Sequence, residues 1–366
     1  MVVIYGKGNN KNFKFSEGCD FVLELGQERK NDEIRILQLT DMQIIDSSQQ
    51  RIEGRLRHDE TVAWGRDTIK GNCYDHIRSL VAQTNPDLIF ITGDIVYGEF
   101  DDSGEVLKDF IGFMDSFEIP WTAVYGNHDN ESKIGIEKQC KMYENGKYCM
   151  FKRGTVSGNS NFTIGISVGG ELKRVMYMLD SHGALRKRDL LPDQIDFMKA
   201  KASALKEKYG MVAEGFMAFH IPVDYFKKAA YSKGYATDEK PHFNIGVDVK
   251  AKDGDFGFDY ENGGTGGYVE TNESFAEFLK IANIKGVFVG HHHSRCTVIE
   301  YNGIKLTYGL KTGQYDYHTK GITGGTLITV NRENNDFGVQ HIQSLVRFNP
   351  FPVLSPSYKD FFCGIK

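Results

Sequence analysis

The sequence predicts an α/β fold, and three observations carry that prediction. Short apolar runs recur along the chain, each ending on a polar motif. Amphipathic stretches at helical spacing fall between them, so the order reads strand, loop, helix, repeated. The composition, 40% hydrophobic and 25% charged over 366 residues with 40 glycines, is that of an ordinary soluble globular protein with a substantial core and many tight turns.

Taken in order, residues 35–40 (RILQLT) form a short buried strand, and Asp41 is the first residue past it. Residues 67–83 place Ile69, Cys73, Ile77, Leu80 and Val81 at helical spacing, and Pro86 ends that helix. The run 88–91 (LIFI) is the next strand and delivers Gly93-Asp94. A helix over 104–117 carries Val106, Leu107, Phe110, Ile111 and Met114 on one side, and 122–125 leads into Gly126-Asn127-His128. Strands joined through helices run parallel, and the loops after their carboxyl ends share one rim. Asp41, Asp94 and Asn127 should therefore converge.

Residues 162–168 and 174–179 read as paired strands, 192–209 as a helix, and 216–219 as a short strand ending at His220. Residues 225–267 are polar and glycine-rich and read as a long surface excursion. Its closing run Gly263-Gly264-Thr265-Gly266-Gly267 lacks the strand and lysine of a nucleotide loop. A helix over 274–284 precedes a strand over 286–289 that presents His291, His292 and His293, and 304–308, 326–330 and 338–343 supply later strands. With no internal repeat and no linker, residues 33–366 read as one domain, with 1–32 as a strand extension packed on it.

A net charge of −5 and a pI near 6.1 argue against a nucleic-acid binder, since no basic stripe offsets phosphate repulsion. The basic runs Lys227-Lys228 and Arg186 to Arg188 read as solvated faces. No stretch approaches the ~20 apolar residues of a membrane span. The first seven residues lack the basic and apolar regions of a secretory signal, which mildly favours a cytoplasmic address over a secreted or lysosomal one. Six cysteines are too sparse for a disulfide scaffold. Cys140 and Cys149 flank a turn-prone Glu144-Asn145-Gly146, a spacing that fits both a disulfide and two free thiols. The terminal Cys363-Gly364-Ile365-Lys366 fails as a prenylation box because of its glycine and its final lysine.

The chemistry lies in five segments: Asp41-Met42-Gln43, Gly93-Asp94-Ile95-Val96-Tyr97, Gly126-Asn127-His128-Asp129, Phe219-His220 and Gly290-His291-His292-His293. Each alone is a string that chance supplies. Five in this order, each after an apolar run, make a mixed oxygen and nitrogen cage suited to two divalent or trivalent cations.

This series resembles the calcineurin-like metallophosphoesterase superfamily, over roughly residues 33–331. The resemblance implies a four-layer α/β/β/α sandwich with two central mixed sheets and a dinuclear metal site along one sheet edge. Most members carry Asp-x-His at the first motif; here Gln43 replaces the imidazole, while Tyr97 stands three residues beyond Asp94. Purple acid phosphatases share both departures, their tyrosine binding the first metal, so the chain is most similar to that branch. The stretch from Tyr308 to Tyr315 also resembles one that follows the site in related eukaryotic proteins.

Carried over, the first metal would take Asp41, Tyr97, His293 and one oxygen of Asp94. The second would take the other oxygen of Asp94, Asn127, His220 and His291. A phenolate favours Fe(III), so the resemblance implies Fe(III) plus a divalent Fe, Zn or Mn. The plainer readings are an aromatic packed under the sheet edge for Tyr97 and a neutral residue behind the ligands for Gln43. If residues 291–293 are extended, His291 and His293 point the same way. The resemblance gives His128 substrate contact or leaving-group protonation, with Asp129 as its orienting partner, and places Asn127 near substrate as well. His292 should face away from the metals, reaching substrate or standing exposed.

The function expected is a phosphomonoesterase of purple-acid-phosphatase type, in which a metal-bound hydroxide attacks phosphorus in line with the leaving alcohol. Its substrate would be a phosphorylated small molecule or a phosphoprotein. The rivals are a phosphodiesterase or nucleotide pyrophosphatase on the same ligands, and a weakly catalytic scaffold for protein contacts.

Overall fold

The computed structural model describes residues 2–7, 14–26, 32–51, 69–183, 189–210, 213–261, 268–314, 318–319 and 322–345. The basic run at 186–188, the glycine run at 263–267, Tyr315 and the C-terminal Cys363 lie outside the described residues.

Two large sheets face each other. In the smaller, β3 (Glu33–Leu39), β4 (Leu88–Ile91) and β5 (Trp121–Ala123) run parallel, and β14 (Gly324–Asn331) and β15 (Phe337–Gln343) extend it antiparallel in the order β15-β14-β3-β4-β5. Strand β4 is apolar at every position because the sheet is covered on both faces.

The larger sheet has eight strands. They are β1 (Val2–Tyr5), β2 (Phe21–Leu25), β6 (Phe162–Val168), β7 (Glu171–Met178), β8 (Glu214–Ala218), β11 (Ile284–Val289), β13 (Ile304–Tyr308) and β12 (Val298–Tyr301), in that spatial order. Its side chains alternate between two cores, as the two-residue period of a strand requires. Met176, Met178, Phe216 and Phe288 enter the core shared with the smaller sheet. Val175, Tyr177, Met217 and Val287 enter the one beneath the helices. Edge-to-face contacts from Phe90 to Phe288 and from Phe216 to Phe337 tie the sheets together.

Helices form the outer layers. On the smaller sheet, α1 (Ile69–Thr84) lies over β3 and β14, while α2 (Glu105–Asp115) and α3 (Ile136–Asn145) pack together nearby. Asp101 caps α2 by accepting from the backbone N–H groups of Val106 and Leu107. On the larger sheet, α4 (Pro192–Tyr209) and α6 (Glu273–Ile281) pack side by side over β6 and β11, with α5 (Tyr225–Ser232) on β12. This is the four-layer sandwich that the resemblance implies.

The surface excursion expected from residue 225 onward is wrong for its described part. Helix α5 and the hairpin of β9 (Phe243–Ile245) and β10 (Gly257–Asp259) are packed structure, burying Phe226, Ala229, Tyr235, Phe243 and Ile245 in the outer core. Their apolar residues follow no single period, and a buried polar pair, Tyr235 to Asp255 at 2.8 Å, accounts for part of the polar composition. Within the N-terminal segment, β2 lies parallel to β6, with β1 outside it. Cys140 and Cys149 form no disulfide, and both thiols are buried. No described helix is long and apolar enough to cross a membrane.

Candidate metal centre

The predicted residues sit at the carboxyl ends of parallel strands from both sheets. Asp41 follows β3, Asp94 follows β4 and Asn127 lies just past β5; His220 and His291 follow β8 and β11. Asp41, Asp94 and His291 all have left-handed backbones, at φ 53°, 53° and 73°. Such conformations cost energy for residues with a Cβ, and they cluster where side chains must be aimed. Two glycines let the loops meet. A Cβ on Gly93 would lie 2.6 Å from the Gly126 nitrogen, and one on Gly126 would strike the Asp94 carboxylate.

Asp129 fastens this meeting. Its Oδ1 accepts from the N–H groups of Ile95 (2.8 Å) and Val96 (3.1 Å), and its Oδ2 from those of Asp94 and Gly126, both at 2.8 Å. One buried carboxylate thus satisfies four main-chain donors from two motifs. Burial and the nearby Asp94 charge push its pKa up to about 7, against the pull of those donors. Asp129 therefore does not orient His128. That role falls to Glu131, whose Oε2 lies 3.0 Å from His128 Nδ1.

His220 lies at the centre. It is fully buried, and its Nδ1–H donates to the Thr92 carbonyl at 2.7 Å, which makes Nε2 the lone-pair atom of a neutral ring. Around Nε2 stand Asn127 Oδ1 at 3.1 Å, Asp94 Oδ2 at 3.3 Å and His291 Nδ1 at 3.3 Å. Oxygen and nitrogen lone pairs converging on one point require a positive charge there, either a proton or a cation. Burial disfavours a proton on His220, but the Asp94 and Asp41 carboxylates outweigh it and raise its pKa to about 9.

The other end holds Asp41. Its Oδ2 accepts from the Thr40 hydroxyl (2.6 Å) and the His291 N–H (3.0 Å). Its Oδ1 is buried without a hydrogen-bond partner, 3.4 Å from His293 Nε2. Burial would raise the Asp41 pKa, but His293, His220 and Lys311 hold it far below the usual carboxylate range. Asp94 is likewise held low, burial being outweighed by His220 and His128. Ligating atoms of Asp41, Asp94 and His220 all lie within 4.8 Å of one another, and all three residues are buried. An orphaned carboxylate oxygen, an imidazole with its lone pair turned inward and a shared Asp94 fit metal ions.

Residues 291–293 are not an extended strand, yet both outer histidines face the cluster: His291 meets His220 while His293 meets Asp41. Tyr97 stacks its ring on His128 at 4.0 Å and 21°, with Phe100 beside it. His292 is neither exposed nor solvated. It is buried between Tyr308 and His291, with Nδ1 4.0 Å from Glu261, and burial lowers its pKa to about 4. Glu261 also accepts from the Ser294 N–H at 2.9 Å, so this carboxylate supports the histidine turn.

The sequence profile of calcineurin-like phosphoesterases matches residues 34–295. The chain belongs to the calcineurin-like phosphoesterase family. Among curated proteins it is similar to two from Arabidopsis thaliana. Probable inactive purple acid phosphatase 14 is 25% identical over 287 residues, 67% of this chain and 63% of that protein. Probable inactive purple acid phosphatase 29 is 24% identical over 333 residues, 80% of this chain and 75% of that one. The chain thus spans less than two thirds of the first of these relatives. Among solved structures, a dimetal phosphatase from Danio rerio aligns with a TM-score of 0.48 at 11% identity, covering 84% of this chain and 98% of the other.

Sequence reasoning missed three residues that serve this centre. Glu131 lies one helical turn beyond His128, a spacing that brings side chains together and offered a signal. Glu261 sits in the stretch read as surface. Lys311, buried with its Nζ 2.9 Å from the Asp41 carbonyl, lies in the stretch from Tyr308 to Tyr315, where sequence alone gives it no role.

Proposed function

We propose that this protein is a two-metal phosphoesterase, acting on phosphomonoesters in the manner of the purple acid phosphatases. The observation that supports it most is the convergence of Asp94 Oδ2, Asn127 Oδ1 and His291 Nδ1 on His220 Nε2. These four residues would hold one cation. Asp41, His293, the shared Asp94 and the Tyr97 phenolate would hold the other, as Fe(III) beside a divalent Fe, Zn or Mn. When bound, such a pair supplies Lewis acidity to the phosphate oxygens and to a water.

The chain's own residues do the rest. Asp129 keeps the Asp94 and Asn127 loops at fixed separation, so the ligands need little rearrangement. Glu131 engages Nδ1 of His128, so the proton given to the leaving oxygen falls to Nε2. Tyr97 stacks under the same ring and fixes its plane. Asn127 lies beside His128 at the rim and would touch phosphate as well. His292, sunk against Glu261, acts on the substrate only through the turn it anchors. The substrate would be a phosphorylated small molecule or a phosphoprotein.

The test is hydrolysis of p-nitrophenyl phosphate, bis(p-nitrophenyl) phosphate and ADP by protein of measured metal content. Faster turnover of the monoester supports this reading. Preference for the diester or for ADP moves the assignment to a phosphodiesterase or pyrophosphatase. A second reading, a metal-holding protein without turnover, is favoured by the word inactive in the relatives' names and by Gln43. Full metal content with no hydrolysis of any of the three would support it.

A further inference from the structure

A second cavity chemistry lies outside the metal centre. The cavity has a volume of about 170 Å³, and none of the proposed metal ligands lines it. Its walls are mostly rings: Phe226 of α5, Phe243 of β9, Tyr231, Tyr268 and Tyr308. Phe226 and Tyr308 pack on each other at 4.7 Å between ring centroids. Lys227 and Pro241 also line the cavity and are exposed, so it opens to solvent there.

An ion pair stands in the wall. Arg295 Nε donates to Asp259 Oδ1 at 2.7 Å, and Arg295 Nη1 donates to the Tyr268 and Tyr308 hydroxyls at 3.1 and 3.5 Å. The guanidinium carbon also lies 5.6 and 5.9 Å from the centroids of those two rings, which fixes its position. Both charged side chains line the cavity and keep part of their surface open, 13% for Arg295 and 12% for Asp259. Among the described residues, nothing accepts from Arg295 Nη2 and nothing donates to Asp259 Oδ2. A donor and an acceptor thus stand next to each other, unused by the protein, in an aromatic cleft.

Size and charge select the ligand. A cavity of about 150 Å³ is enough for a benzene ring, so this one takes a single planar ring with a small substituent. An anion would gain from Arg295 but meet the Asp259 carboxylate beside it. A plain hydrocarbon would leave a guanidinium N–H and a carboxylate oxygen unpaired out of water, which is costly. We propose that this cavity binds a neutral single-ring compound whose edge carries an acceptor next to an N–H donor, as in an aromatic carboxamide or cytosine. The ligand's acceptor takes the hydrogen bond from Arg295 Nη2, its N–H donates to Asp259 Oδ2, and its ring lies among the tyrosines. This binding is independent of the phosphoesterase reading.

The test is a calorimetric titration of the full-length, chelator-stripped protein with nicotinamide and with cytosine, so that neither metal nor phosphate contributes. The expected result is a single site per chain with a Kd on the order of 1 mM or tighter, as a ring compound of about nine heavy atoms allows. Benzoate, which carries a charge and has no donor, should bind about tenfold more weakly or worse. Arg295→Met removes the donor and should weaken both ligands about tenfold or more. Ala230→Leu fills the cavity from α5, leaves Arg295 and Asp259 in the chain and should abolish the heat; it decides the matter if Arg295→Met fails to fold by circular dichroism. No saturable binding of either ligand by the wild type up to ~10 mM, benzoate binding as tightly as nicotinamide, or unchanged binding in a folded variant would overturn the proposal.

Discussion

Metal binding at His220 should release a proton, and the structure gives the size of the effect. Without a cation, the Asp94 and Asp41 carboxylates raise the His220 pKa to about 9. At pH 7 the ring therefore carries a proton on Nε2, the atom that would ligate, since Nδ1 is committed to the Thr92 carbonyl. A cation must displace that proton, so its apparent affinity should fall about tenfold for each pH unit below 9. From 9 to 7 the penalty is about two pKa units, or ~2.7 kcal/mol. Mn²⁺ affinity at the His220 position between pH 6.5 and 8.5, in two buffers of different ionisation enthalpy, should rise one decade per unit with about one proton released per ion. A flat profile would refute the argument. The metal-free protein should show the reverse trend. A raised histidine pKa contributes stability fully present below the unfolded value of about 6.5 and lost as pH passes about 9. Its melting temperature should accordingly decline across that window.

Asp129→Asn keeps one acceptor oxygen and turns an NH₂ toward main-chain donors, so it should cost on the order of 2–4 kcal/mol in urea unfolding; a change under about 0.5 kcal/mol would contradict the clamp. His128→Ala should lower kcat by about 10²–10⁴-fold with metal content unchanged, whereas Asn127→Ala should lose both activity and one ion by elemental analysis; equal metal loss in the two variants would contradict their separate roles. Protein loaded with excess Fe(III) should turn purple, and Tyr97→Phe should abolish the visible band; a colourless loaded wild type would remove Tyr97 from the ligands.

Much of this architecture was legible because the strands around the site end abruptly on their functional residues. The run 88–91 is apolar throughout and stops just before Gly93-Asp94, and the apolar residues before His220 do the same. Burial on both faces of a parallel strand leaves no other composition possible. What escaped notice had no period to announce it. Helix α3 has only Gln139, Cys140 and Tyr143 buried, a stripe too thin to stand out. Strand β2 (FVLEL) lies in the segment expected to be a strand extension, but its bounds and its parallel pairing with β6 had no such signal. At the site the side chains were legible by type, their partners not. Asp129 accepts from amides as distant in sequence as Asp94, and Lys311 acts on a residue 270 positions away. Such pairings exist only after the chain has closed on itself.

The segment from Gly309 to Gly313 lies past residue 295, where the match to the family profile stops. Yet its backbone is laced to Thr40 and Asp41, and Gly309 N–H bonds the Val289 carbonyl at 2.8 Å. A fragment trimmed to the recognisable region would keep all seven proposed ligands and lose the floor under the first of them. Expression work on this protein and its kin should therefore place the downstream cut beyond β15, since a shorter piece could be mistaken for a naturally dead enzyme.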